Sequence, residues 1–159
     1  MYEGIDQYRF YGTHAIRADE LVTFGFFPRI VDVLMVAPIV GFEHGRTAEK
    51  NTQDDVDKSV FLKQLNDANG RLELNYKTIM LLDKDYTPEV DERFRKAFQI
   101  MPESRDKADL DHYEQYVRGG VDFLYEKLVG SGNTPTERYA ELLDLVESFA
   151  DRYSGGTES

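Results

Sequence analysis

A chain of 159 residues suffices for one ordinary domain and is too short for two comfortable ones. With 41% hydrophobic residues, ten Tyr and ten Phe the composition argues against intrinsic disorder, while the lack of cysteine excludes disulfides and thiolate metal sites. The net charge of −11 disfavours general DNA binding, which depends on Lys and Arg neutralising phosphates.

That charge is uneven: residues 1 to 50 carry 5 basic and 7 acidic side chains, residues 51 to 159 carry 14 and 23. It reads as a solubilising surface, with an acidic binding face or nucleic-acid mimic as the alternative. The N-terminus, Met1 to Asp6, lacks the basic and apolar regions of a secretory signal, and Ile30 to Phe42 falls short of a membrane span. The expectation is a soluble, cytoplasmic protein that does not engage the membrane.

Residues 1 to 12 lack helical periodicity and read as an extended arm or short strand whose Tyr8, Phe10 and Tyr11 dock aromatic rings. Stacking of nucleobases on these rings around Arg9 is the alternative. Ala15 to Thr23 reads as a short helix, broken by Gly25 among Phe24, Phe26 and Phe27. The most apolar stretch predicts a buried helix over 28 to 45, kinked near Leu34 by Pro38 and stopped at Gly45. Residues 46 to 55 read as an exposed loop.

Val56 to Asn69 then reads as a helix with Val60, Phe61 and Leu65 on one side, and Asn69-Gly70 as a turn. The 71 to 82 run fits either period, and helix is favoured. Thr87-Pro88-Glu89 reads as a helix start, followed by Val90, Phe94, Ala97, Phe98 and Met101 at steps of three and four up to Pro102. Lys107 to Val129 predicts a further helix with Gly119-Gly120 in its middle. Two glycines there cost about 1 kcal/mol each relative to Ala, which implies close approach of a neighbouring backbone or a bend. The last helix opens on Thr134-Pro135 with Glu137 completing a capping box, and carries Tyr139, Leu142, Leu143, Val146, Phe149 and Tyr153. The sum is a mainly α single-domain bundle of about five to six helices over 1–153, with an extended arm over 1–12 and a disordered tail over 154–159.

No nucleotide, hydrolase or metalloprotease signature is present. Of the three histidines, Asp111-His112 and Glu43-His44 place a carboxylate next to an imidazole, but neighbouring helical residues diverge by about 100° and do not share one ion. The reading is no catalytic residue, no metal and no cofactor, with an enzyme built on His44 or His112 as a remote third option. Arg46 and Lys50 follow the C-terminal end of the buried helix, where positive charge suits the dipole; a small anion or partner contact is the alternative. Gly119 and Gly120 also suggest a face for self-association into a homo-oligomer.

Two segments carry a resemblance. Asp32-Val-Leu-Met-Val-Ala-Pro-Ile-Val-Gly-Phe-Glu-His-Gly-Arg46 resembles the apolar helix, Gly-aromatic and x-x-Gly-Arg segment of small proteins associated with DNA-phosphorothioation (Dnd-type) defence loci. Tyr113-Glu-Gln-Tyr-Val-Arg-Gly-Gly-Val-Asp-Phe-Leu124 is similar to that family's E-x-Y-A-x-G-G-L-x-x-L stretch, and order and spacing agree over roughly residues 25 to 128. The resemblance implies a non-enzymatic accessory or regulatory protein of a prokaryotic antiphage DNA-modification system, with other proteins of that system as partners. The alternative is an acidic mimic or inhibitor of a DNA-processing enzyme.

Overall fold

Helices dominate the computed structural model, which describes residues 7–51, 55–130 and 134–154. In chain order they are β1 (Gln7–Tyr11), α1 (Gly12–Thr23), α2 (Ile30–Glu43), β2 (Asp57–Phe61), α3 (Leu62–Leu82), α4 (Val90–Phe94), α5 (Lys107–Leu128) and α6 (Pro135–Ser154). A π-helical stretch, Arg95–Gln99, prolongs α4, and a 3-10 turn, Pro102–Ser104, precedes α5. The protein is mainly α, as its periodicity predicts. Among the described residues no helix is long and apolar enough to cross a membrane. Residues 1 to 6 of the expected arm and 155 to 159 of the expected tail lie outside the described residues.

The arm forms β1 and docks: Tyr8 and Phe10 are buried, with their rings edge to face at 5.1 Å. Its partner corrects the sequence reading. Asp57–Phe61 is not the start of a helix but strand β2, antiparallel to β1 with Tyr8 opposite Val60 and Tyr11 opposite Asp57. Strand alternation sends Val60 into the core and leaves Phe61 62% exposed, so the two do not share a face.

The expected Asn69-Gly70 turn is also corrected, because α3 runs through it unbroken. Leu65, Ala68, Leu72, Tyr76, Ile79 and Met80 are buried at helical spacing, and their burial outweighs the roughly 1 kcal/mol that an exposed helical Gly costs. The 71 to 82 segment is helical, as favoured. A third correction concerns the helix start expected at Thr87-Pro88: α4 begins at Val90, with Glu89 in the N-cap position.

The centre of the molecule is the crossing of α2 and α5, the most extensive contact between any two elements. Val33, Leu34 and Ala37 of α2 and Val117, Val121 and Leu124 of α5 are buried there, and Pro38 is accommodated inside α2. Glycines set the spacing. A Cβ on Gly41 would overlap the Tyr116 carbonyl oxygen, one on Gly120 that of Ala37, and one on Gly119 that of Arg46. The close backbone approach expected from Gly119-Gly120 is therefore made within the chain. Both glycines are buried under α2 and the residues after it, so the expected self-association through that face is corrected: the face is already filled.

Candidate functional site

The helix with the clearest apolar stripe wears that stripe on the outside. Of the five stripe residues only Ala97 is buried; Val90, Phe94, Phe98 and Met101 are 64%, 48%, 52% and 62% exposed. The Phe94 and Phe98 rings lie 5.1 Å apart, tilted by 47°, and form the middle of an apolar ridge. Residues facing inward are Arg93, which is buried, and Lys96, which is half-buried.

Each of these cations has a polar reason to face inward. Arg93 Nε donates to the Leu81 carbonyl at 2.9 Å, and its Nη1 to the Thr87 and Pro88 carbonyls at 2.9 and 2.6 Å. A guanidinium thus ties the C-terminal end of α3 to the loop entering α4, where free carbonyls and the helix dipole favour positive charge. Lys96 Nζ bonds Asp109 at 2.7 Å and lies 4.6 Å from the centroid of the Tyr86 ring. Rotating the helix to hide the phenylalanines would strip both cations of their partners, so the polar side holds the ridge outward. The π-helical turn through Arg95–Gln99, of a kind often found at functional sites, contains Phe98.

A second apolar line runs along α6. Its capping box forms as predicted, with Thr134 N–H donating to Glu137 at 2.9 Å and Glu137 N–H to the Thr134 hydroxyl at 3.3 Å. The stripe divides, however. Leu142, Leu145 and Phe149 lie against the core, whereas Tyr139, Leu143 and Val146 are 62%, 57% and 55% exposed. Arg152 fastens the far end by a 2.8 Å bond to Glu43. Exposed apolar lines of this kind mark interaction surfaces rather than scattered surface side chains.

The other flagged residues are spent on structure. Arg46 does not offer a free charge at the end of α2, because its guanidinium forms two bonds to Glu126, at 2.9 and 2.8 Å. Lys50 lies over the Tyr11 ring, 4.2 Å from its centroid. Burial of Tyr8 and Phe10 removes them as surfaces for base stacking. His44 Nδ1 donates to the Val40 carbonyl, 3.0 Å away, and its ring is 3.9 Å from that of Phe123. Among the described residues no group of three or more His, Asp or Glu gathers as a metal ion would need.

His112 is the exception that spacing did not show. Its Nε2 is 2.7 Å from Asp83 Oδ2, its ring stacks on Tyr86 at 3.7 Å, and Asp83 also accepts from the Tyr116 hydroxyl at 2.8 Å and the Tyr86 amide at 3.0 Å. Asp83 is 4% exposed and saturated by these donors, so the group anchors the loop after α3 to α5 instead of presenting a free base. Burial alone would raise the Asp83 carboxyl, but the bonds from His112, the Tyr86 amide and Tyr116 outweigh it and hold the pKa below the ordinary carboxylate value. Asp122 is lowered likewise: burial opposes, and His14 and Arg17 prevail.

Carboxyls depressed in the folded state stabilise it above their unfolded pKa of about 4 and lose that contribution as pH falls through the lower folded values. Stability should therefore hold from neutrality down to about pH 5 and drop below about pH 4. Denaturant midpoints measured across that range should fall less steeply in Asp83→Asn; an unchanged slope would remove Asp83 from the account.

No family model, curated protein or solved structure matches the chain.

Proposed function

We propose that this chain is a non-catalytic accessory protein that acts by docking onto other proteins of a prokaryotic DNA-modification defence system. The observation that carries the docking is the ridge of Val90, Phe94, Phe98 and Met101, held outward by the buried Arg93 and by Lys96. A monomer gains nothing from exposing two adjacent phenylalanines, whereas an interface needs aromatic anchors of this kind. The setting rests on the resemblance of residues 32 to 46 and 113 to 124 to Dnd-type proteins.

Co-expression with the proteins encoded beside it is the test. The expected result is a stable complex with a DNA-modification component that is lost when Phe94 and Phe98 are replaced by Ser. A complex that survives the double replacement would sink the ridge as its docking surface, and neighbours unconnected with DNA modification would sink the setting.

One observation favours a second reading, an acidic mimic that occupies a phosphate-binding groove. Glu141, Asp144, Glu147 and Asp151 recur at steps of three and four along α6, and among the described residues none of them meets a cation. A mimic should lose its partner steeply between 50 and 500 mM salt, on the scale set by a Debye length of about 10 Å at 0.1 M. Ridge docking should be nearly insensitive to salt.

A further inference from the structure

The same chain contains a polar cleft with no part in ridge docking. It lies between β1, the residues after α2 and the first half of α5, has a volume of about 230 Å³, and is lined by Tyr11, His14, Lys50, Asp111, Glu114 and Arg118 among others. Asp111, Glu114 and Arg118 follow one another at steps of three and four on one face of α5, so the floor is acidic at one end and basic at the other.

Most of these groups are held in place. Arg118 Nε donates to the Ala48 carbonyl at 2.8 Å, and its Nη1 is 3.9 Å from Glu114, which accepts the Tyr8 hydroxyl at 2.6 Å. His14 is 6% exposed; its Nε2 faces Asp122 at 3.4 Å, and its Nδ1 is buried without a hydrogen-bond partner. An unmet buried ring nitrogen costs stability unless something supplies its bond. Among the described residues, Lys50 at the rim touches the Tyr11 ring and no carboxylate, and Asp111 meets no cation.

Arg9 also borders the cleft, but its guanidinium is committed to Asp57 at 2.9 Å. The remaining charges balance, Lys50 and Arg118 against Asp111 and Glu114. A phosphate dianion entering this cleft would meet two carboxylates, and a simple amine would meet two cations. A molecule carrying one of each charge satisfies both pairs.

We propose that the cleft binds a small zwitterion of the α-amino acid class. The ammonium lies toward Asp111 and Glu114, the carboxylate toward Arg118 and Lys50, and the side chain against Tyr11. The volume suits this size, being below the roughly 300–1,000 Å³ of pockets for drug-sized ligands.

Calorimetric titration of the full chain with L-leucine, L-glutamine, L-lysine and L-phenylalanine tests this, with acetate, methylammonium and inorganic phosphate as probes of single charge type. At least one amino acid should bind saturably below about 10 mM, and each single-charge probe should bind about tenfold more weakly or worse, the factor expected for losing one charge-assisted bond. Asp111→Asn and Arg118→Gln should each weaken the amino acid by about the same factor. Arg118 also steadies the Ala48 segment, so Asp111→Asn, at an exposed position that meets no cation among the described residues, keeps the test valid if the arginine variant does not fold. The proposal fails if no amino acid saturates, if phosphate or acetate binds as tightly, or if Asp111→Asn leaves affinity unchanged. The Phe94→Ser, Phe98→Ser protein should bind the amino acid normally, which separates this site from the ridge.

Discussion

Gly120→Ala should destabilise the protein by about 3 kcal/mol or more, a large share of the roughly 5–15 kcal/mol that holds a domain of this size together. The added methyl would occupy the position of the Ala37 carbonyl oxygen, with the carbonyl carbon and Cα of Ala37 close behind. Backbone has no rotamer to turn aside, so α2 and α5 must separate along a crossing that holds Val33, Leu34, Val117 and Val121. Gly41 and Gly119 meet carbonyls on the same interface and leave no slack to absorb the shift. Gly70→Ala is the matched control. Gly70 lies mid-helix with nothing within 4 Å of the added carbon, so the same substitution should stabilise by up to about 1 kcal/mol through helix propensity. Denaturant unfolding of the two variants should move the midpoint in opposite directions. Equal midpoints would mean that the helices do not cross as closely as the structure has them.

This contrast shows what a sequence exposes and what it hides. Two adjacent glycines inside a long helix signal a close approach, because the helix would not otherwise tolerate them. What approaches, the Ala37 and Arg46 carbonyls, lies about 80 residues away and leaves no local sign. Strand β2 escapes for the same reason: Val56 to Phe61 has too short an apolar pattern to fix a period, and its strand character comes from β1, with Tyr8 opposite Val60. The Asp83 and His112 contact joins the C-cap of α3 to α5 across 29 residues, and spacing on either segment gives no hint of it. The capping box at Thr134 and Glu137, by contrast, spans three residues and is fully legible.

The side on which the ridge lies is hidden for a different reason, since every residue of it is visible in the sequence. Periodicity identifies an apolar stripe but not the side on which the rest of the molecule lies; inward is a default taken from the hydrophobic effect. Arg93 overturns the default, because three carbonyls at the end of α3 and in the following loop offer its guanidinium more than solvent does. The useful signal in hindsight is the Arg93 and Lys96 pair three residues apart on one face of so short a helix, which demands acceptors on whichever side it points.

Replacing Phe94 and Phe98 together by Ser should leave stability nearly unchanged while weakening partner binding about a hundredfold or more. Both rings are about half exposed, and Phe and Ser have similar helix propensities, so unfolding midpoints should move by no more than about 0.5 kcal/mol. On docking, each ring would be covered as an aromatic anchor worth at least about 1.4 kcal/mol, and two such losses amount to about a hundredfold in Kd. Arg93→Met should do the reverse in the folding experiment: it leaves the Leu81, Thr87 and Pro88 carbonyls without their donor and should cost about 2–4 kcal/mol although the ridge chemistry is untouched. Binding titrations and denaturant curves on both variants separate the two faces of the helix. If the phenylalanine variant unfolds easily, the rings belong to the core of the chain; if it binds its partner as well as the parent does, the ridge is not where the partner sits. A loss confined to binding assigns the outer face to an interface, with the inner face as the reason it stays outward.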